Sequence, residues 1–314
     1  MTRPVIVIHG GAGALARQAM SGERERQYRD ALGVIVRRGQ EMLAQGGSAV
    51  DAVTEAVRLL EECPLFNAGK GAVYTHQGGH ELDAAIMDGS NRAAGAVSGV
   101  SCIRNPILAA REVMEHSPHV MLIGAGAESF AFDRGLEQVA PDFFATPERY
   151  AQWQQAVQNE SGSVLDHDSP DPIDPDRKLG TVGAVACDAS GHVAAATSTG
   201  GMTNKHAGRV GDSPIIGAGC YADDATAAVS CTGTGEIFIR GVAAYDLAAQ
   251  MAYGGRTLID AAQRVIFEKI QPMGGTGGLI AVDRAGNVAL PFNAEGMYRA
   301  IGYVDSDIQI GIYR

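Results

Sequence analysis

No stretch of this chain approaches about 20 consecutive apolar residues, so no segment reads as a membrane-spanning helix. A basic patch is equally absent. Lys and Arg total 25 against 36 Asp and Glu, for a formal net charge of −11. Charge of that sign repels a phosphate backbone and excludes nucleic acid as a natural partner. The opening MTRPVIVIHGG lacks the long apolar core of a secretory signal. Cysteine is scarce: Cys63, Cys102, Cys187, Cys220 and Cys231 are odd in number and show no metal-ligand spacing. Reduced thiols in a cytoplasmic protein are the expectation. What the chain has in excess is glycine, 41 in 314 residues, nearly twice the ordinary share. The glycines concentrate in HGGAG, GTVG, TSTGG, GRVGD and TGTGE, which points to backbone crowding around a site.

Length alone predicts about two domains. Val5 to His9 reads as a buried strand feeding a turn at Gly10–Gly13. Glu23 to Gln45 carries Leu32, Ile35, Val36 and Leu43 at helical spacing. Ser48-x-x-Asp51 predicts the cap of a second helix. Short hairpin strands are expected between Lys70 and Val100, a helix from Pro106 to His116, a buried strand at His119–Ile123 and one helix over Phe130–Gln154. In the second half, Thr181–Cys187 and Val193–Thr199 predict a hairpin, with strands near Ile215–Tyr221 and Ala227–Cys231. Helices are expected at Glu236–Met251 and, capped by Thr257, at Leu258–Ile270; a last hairpin pairs Gly278–Val282 with Val288–Phe292. Helices and antiparallel hairpins come in blocks rather than strict alternation, which favours an α+β fold. With no repeat and no second linker, the two halves are expected to share one core.

Residues 161–178 carry Pro170, Pro172 and Pro175 among Asp166, Asp168, Asp171, Asp174 and Asp176. Such a segment is short of the apolar content that ordering requires. It runs directly into Gly180-Thr181-Val182-Gly183 and a small apolar strand. A cut between Gly180 and Thr181 would place a hydroxyl beside a free α-amine, a nucleophile with its own base. A Gly-Thr pair before a strand is ordinarily only a strand start, so its weight comes from motifs further along the chain. Gly208-Arg209-Val210-Gly211-Asp212 sets a guanidinium and a carboxylate three residues apart, matching the α-carboxylate and α-ammonium of an amino acid; the plainer alternative is a surface Arg–Asp pair of little worth. Cys231-Thr232-Gly233-Thr234-Gly235-Glu236 leads from a strand into a helix, where unpaired N–H groups can face developing negative charge. Thr199, ending the strand antiparallel to the one Thr181 begins, can lie near Thr181 and orient it.

HGGAG at 9–13, LEECPLFNAGKGAV at 60–73, ELDAAIMDG at 81–89, GTVGAVA at 180–186, TSTGGMTNK at 197–205, GRVGDSP at 208–214 and CTGTGE at 231–236 together resemble the isoaspartyl peptidases, or plant-type L-asparaginases, which are N-terminal-nucleophile hydrolases. The resemblance covers nearly the whole chain except the linker. It implies a four-layer αββα sandwich and self-cleavage into an α subunit (residues 1–180, with the linker at about 155–180) and a β subunit (181–314). Thr181 is implied as the nucleophile, supported by Thr199. Arg209 and Asp212 are implied to hold the α-carboxylate and α-amine of β-aspartyl dipeptides or L-asparagine, with Val210, Gly211, Thr234, Gly235 and Asn67 lining the substrate site. Thr232 and Gly233 would form the oxyanion hole. The family's sodium loop maps onto the carbonyls of Leu60, Glu61, Cys63, Phe66, Ala68 and Lys70; backbone oxygens suit a hard cation and tolerate the lysine side chain. No cofactor is implied for the chemistry itself, and a dimer of cleaved α/β units is expected. His206-Ala207 departs from the bulkier residues expected before GRVGD.

Two rival readings differ in their demands. Glycosylasparaginase shares the fold and nucleophile but takes a sugar-bearing asparagine. A non-hydrolytic nucleotide binder would use Val120 to Ser129, which imitates a strand and dinucleotide loop but lacks the third glycine and the acidic-tipped second strand.

Overall fold

A computed structural model describes residues 2–13, 20–158 and 180–314. The chain opens with β1 (Val5–Gly13), α1 (Gly22–Ala44) and α2 (Ala49–Glu62). Ser21 and Ser48 cap the two helices by accepting from the N–H groups of Arg24 and Asp51, each cap contributing about 1 kcal/mol. A hairpin of β2 (Leu82–Asp88) and β3 (Ala94–Val100) precedes α3 (Pro106–His116), whose first turn holds the proline that needs no donor there. Then come β4 (Met121–Ile123), α4 (Gly124–Asp133) and α5 (Pro147–Gln158). From Gly180 onward the order is β5 (Val182–Cys187), β6 (Val193–Thr199), β7 (Cys220–Ala222), β8 (Ala227–Gly233), α6 (Gly235–Gly241), α7 (Ala243–Ala252) and α8 (Leu258–Gln263). Last are β9 (Gly277–Asp283), β10 (Val288–Ala289), β11 (Gly296–Tyr303) and β12 (Gln309–Tyr313).

Eight strands form one sheet in the order β12-β11-β1-β5-β6-β2-β3-β4, and four form another, β10-β9-β8-β7. Among the described residues, every strand pairing within the two sheets is antiparallel except β3 with β4. Helices α1 to α4 pack on the large sheet, α7 and α8 on the small one, and the sheets face each other. Alternation along each strand feeds separate cores. Ala194 and Ala196 of β6 join the helix-side cluster with Leu32, Val53 and Leu60. Val193 and Ala195 join Val7, Val185, Ala228 and Ile280 between the sheets. Val229, Phe238, Leu247 and Val265 fill the far side of the small sheet.

The structure corrects several expectations. β1 continues through the HGGAG glycines, with an irregularity between His9 and Ala12 in place of a turn. β4 is an edge strand with Ile123 exposed rather than a buried one. The helix expected over Phe130–Gln154 is two: Gly135 takes a left-handed φ of 83°, and a new helix starts at Pro147. The one expected over Glu236–Met251 breaks at Val242, which sits at φ 48°. Strands β11 and β12 were not anticipated. The acidic linker lies, except for its ends, outside the described residues.

Candidate active site

Period-two alternation also decides what faces the site. Val182 turns toward the helices, so Thr181 and Gly183 turn toward the small sheet, as do His9, Thr197 and Thr199 on their own strands, while Ser230 and Thr232 of β8 face them from the small sheet. At this end of the inter-sheet layer, therefore, the apolar filling gives way to hydroxyls and an imidazole. All of them are buried: Thr181 is 6 % exposed and Thr199 2 %, while Thr232 has no exposed surface.

The register Val182↔Ser198 brings Thr181 level with Thr199. Their hydroxyls have other partners. Thr181 Oγ1 is 3.0 Å from Ser213 Oγ, and Thr199 Oγ1 accepts from the N–H of Gly201 at 2.9 Å. In the uncut chain the hydroxyl partner of Thr181 is thus Ser213, next to Asp212 on the loop after β6. Gly180 lies against β1: a Cβ on Gly11, whose φ is +109°, would be 2.7 Å from the Gly180 carbonyl oxygen. On its other side, Thr232 Oγ1 stands 3.4 Å from where a Gly180 side chain would begin. Thr232 Oγ1 also accepts from the N–H of Ala12 at 3.4 Å. The Gly180–Thr181 junction is therefore held between the HGGAG strand and the TGTGE turn.

A buried polar strut runs beneath Thr181. His9 Nε2 is 3.0 Å from Ser230 Oγ, Ser230 Oγ is 2.8 Å from Thr197 Oγ1, and Thr197 donates to the Gly219 carbonyl at 3.3 Å. It crosses from the large sheet to the small one. Gly183 is glycine because a Cβ there would meet Ser230 Oγ at 2.0 Å and His9 Nε2 at 2.5 Å. Burial pushes the His9 imidazole down to about 3, so it is neutral at any ordinary pH.

Arg209 and Asp212 come together but do not pair. Asp212 is 3 % exposed, and its Oδ2 has no hydrogen-bond partner among the described residues. Burial pushes its carboxyl up to about 7, against the opposing pull of its own backbone N–H and of Arg209. An unsatisfied buried carboxyl of this kind marks a place for a cationic ligand group. Arg209 instead bonds Glu236, through Nε at 2.8 Å and Nη2 at 2.9 Å. The simple surface Arg–Asp pair is thereby ruled out.

Of the other predicted residues, Gly211 and Gly235 flank the Arg209 guanidinium, and Val210 is half-buried beside it. Gly233 sits at φ +147° at the end of β8, opposite Gly277. Thr234 bonds Thr276 through backbone and side chain. Asn67 braces the turn after Thr199, donating to the Gly201 carbonyl at 2.7 Å and accepting from Val73 N at 3.0 Å. His206 is exposed, with its ring 6.5 Å from that of His76. His9, Ser213, Ser230, Thr197 and Glu236 were not singled out from the sequence. His9, Thr197 and Ser213 stand inside motifs already marked by their glycines, which is the signal that was available.

In the loop of Leu60 to Lys70, backbone hydrogen bonds run from Cys63 N to the Leu60 carbonyl, from Phe66 N to that of Cys63 and from Lys70 N to that of Glu61. A Cβ on Gly69 would be 2.4 Å from the Glu61 carbonyl, and one on Gly71 2.8 Å from that of Phe66. Leu60, Glu61, Phe66 and Ala68 are buried, while the Lys70 ammonium points away, 5.8 Å over the Phe143 ring. The close approaches at Gly69 and Gly71 leave no room for a side chain beside the Glu61 and Phe66 carbonyls. Beneath the loop, Glu61 Oε1 accepts from Ser198 Oγ at 2.6 Å and from Ile107 N at 3.0 Å. The serine hydroxyl of the TST motif is thereby tied to the helix side.

A family model described as asparaginase matches residues 2–312. The chain is 63 % identical over 314 residues to an isoaspartyl peptidase of Escherichia coli, covering 100 % of this chain and 97 % of that one. Identity is likewise 63 % to an isoaspartyl peptidase of Salmonella typhimurium, with 100 % of both chains covered. An isoaspartyl peptidase/L-asparaginase of Xenopus laevis is 41 % identical over 311 residues, covering 99 % and 96 %. Among the described residues no helix is long and apolar enough to cross a membrane.

Proposed function

The chain belongs to the asparaginase family of hydrolases, and on that premise we propose that it is an isoaspartyl peptidase with L-asparaginase activity that works through Thr181 after cutting itself at Gly180. The observation that carries this reading is the placement of the Gly180–Thr181 junction, with Gly180 lying against Gly11 and Thr232, Thr181 buried, and the unsatisfied Asp212 carboxyl on the neighbouring loop.

In the uncut chain the Thr181 nitrogen is an amide without basicity. Once freed, it is an α-amine that titrates near 8, so a useful fraction is unprotonated at neutral pH. It takes the Thr181 hydroxyl proton as Oγ1 attacks the β-carbonyl of the substrate. The tetrahedral oxyanion is held at Thr232 and Gly233, where loss of one donor typically costs about 3 kcal/mol of barrier. The leaving amine departs with a proton from the same nitrogen, and water then releases L-aspartate. Arg209 takes the α-carboxylate, and Asp212, once ionised, takes the α-ammonium. Because both backbone groups are claimed, the scissile bond has to be the β-amide, which β-aspartyl dipeptides and L-asparagine both provide.

The two facing sheets with helices on their outer sides read as the four-layer αββα arrangement of N-terminal-nucleophile hydrolases. Residues 1–180 become an α subunit and 181–314 a β subunit, with a pair of such units as the assembly and the cytoplasm as its place. The carbonyls of Leu60, Glu61, Cys63, Phe66, Ala68 and Lys70 would hold a structural sodium ion, which takes no part in the chemistry. N-terminal sequencing of the fragments on a denaturing gel, beside a β-aspartyl dipeptide assay, tests the reading. A fragment beginning Thr-Val-Gly in hydrolytically active material supports it; active material that remains one polypeptide overturns it.

A further inference from the structure

Arg209 can meet a substrate carboxylate only if its guanidinium is held in the right plane, and the structure shows what holds it. Glu236 engages the Nε–Nη2 edge with both oxygens, at 2.8 and 2.9 Å. A planar fork leaves a second edge, formed by Nη1 and the outer N–H of Nη2, for another partner. Two glycines shape the space around that group. A Cβ on Gly211 would stand 2.9 Å from Nη1; one on Gly235 would stand 2.9 Å from Nη2 and 3.1 Å from Asp212 Oδ1. Gly235 thus lies between the cation and the carboxyl, immediately before Glu236. The loop backbone has its own anchor, since the Gly208 N–H donates to both oxygens of Glu81, at 2.8 and 3.1 Å. Losing Glu236 therefore frees the guanidinium without releasing the loop.

We propose that Glu236 is a positioning residue: it fixes the Arg209 guanidinium side-on, so that the remaining edge meets the substrate's α-carboxylate beside Asp212, and it thereby sets the selectivity for a free α-carboxylate. This rests on the isoaspartyl peptidase reading. The pair differs from an ordinary surface ion pair, which contributes little, because it is bidentate and the Arg209 side chain is only 17 % exposed. Glu236 also differs from a competitor for the clamp, which would have to vacate the edge that the substrate needs.

The test compares wild type with Glu236→Gln on two substrates: a β-aspartyl dipeptide, and the same dipeptide with its aspartyl α-carboxylate converted to an amide. A glutamine offers one acceptor and an amide N–H₂ that faces the guanidinium donors, so the plane is no longer fixed. The expected result is normal cleavage at Gly180, kcat within about twofold, and KM for the free dipeptide raised about tenfold, equivalent to about 1.4 kcal/mol. Turnover of the amide should change little, so the preference for the free carboxylate shrinks about tenfold. In an Arg209→Ala background the same substitution should have no further effect on that preference. An unchanged or lowered KM with the preference intact overturns the proposal. Should Glu236→Gln remain uncut, L-aspartate binding by cleaved Glu236→Asp replaces the kinetics: weakened binding supports the proposal, and wild-type affinity overturns it. If wild type neither cuts itself nor hydrolyses the dipeptide, the failure belongs to the functional reading instead.

Discussion

Thr181 Oγ1 and Ser213 Oγ share a 3.0 Å hydrogen bond in a buried setting, tying the first residue ahead of β5 to the loop that carries Asp212. On the proposed mechanism, Ser213 would fix the rotamer of the Thr181 hydroxyl for attack. A neutral hydrogen bond of this kind contributes about 1 kcal/mol. Ser213→Ala should therefore slow both chain cleavage and kcat about fivefold while KM holds, as measured by fragment appearance on gels and steady-state kinetics.

On the proposed mechanism, Thr181→Ala removes the nucleophile of both chain cleavage and hydrolysis. The variant should remain one polypeptide and release no aspartate from a β-aspartyl dipeptide, with its melting temperature near that of wild type. Mass spectrometry together with an aspartate assay checks it; a Thr181→Ala protein that still cuts at Gly180 would contradict the assignment.

If Asp212 takes the substrate's α-ammonium as proposed, substrate capture will depend on pH. Its carboxyl, at about 7 when no ligand is present, is about half protonated at neutrality, and a substrate ammonium will draw it down. Binding near pH 7 should therefore release a proton, visible as a buffer-dependent enthalpy in calorimetry with L-aspartate, and kcat/KM should rise through pH 7. The stability sign is the reverse. The folded state keeps a proton that the unfolded chain loses near 4, so this group lowers stability as pH rises from about 4 to about 7. Asp212→Asn should flatten both trends.

His9 acts in the opposite sense. Folded, it titrates at about 3; unfolded, near 6.5. Between those values the unfolded chain binds the extra proton, so His9 lowers stability as pH falls below about 6.5, with a slope of about 1.4 kcal/mol per pH unit. Denaturant titrations from pH 4 to 7 should show His9→Gln losing that slope. Its partner Ser230 should respond differently, since Ser230→Ala breaks the strut without removing a titrating group.

If the carbonyl loop holds sodium, replacing sodium by tetramethylammonium should lower the melting temperature by several degrees, following the mass-action stabilisation of a bound ion. Lys70→Met should leave that response intact, because the Lys70 side chain points toward Phe143. A melting temperature indifferent to the exchange removes the cation.

Much of the hairpin framework was legible because its signals are local. Thr181–Cys187 and Val193–Thr199 pair as their small, apolar, turn-bounded runs predict, and Ser48, Thr257 and Pro106 start helices where their backbone chemistry requires. Interruptions were not legible. Val242 breaks an otherwise continuous helical pattern by adopting a left-handed conformation next to Gly241, which a Cβ would press onto Ile270 at 3.0 Å, a contact made in three dimensions. The candidate site divides in the same way. Thr181, Arg209, Asp212 and the turn carrying Thr232 were singled out by local motif chemistry and then by resemblance, whereas Ser213, Ser230 and Glu236 acquire meaning from partners 27 to 221 positions away.

The large sheet alternates between the two sides of the candidate cut. β1 is hydrogen-bonded to β5 and β11, and β2 to β6. A nick at Gly180 therefore yields two polypeptides that are interwoven rather than docked. Separating them means tearing open the middle of an eight-stranded ladder, so their union does not depend on dilution. Mixing isotopically heavy and light enzyme should give no hybrid α/β pairs until denaturant is added.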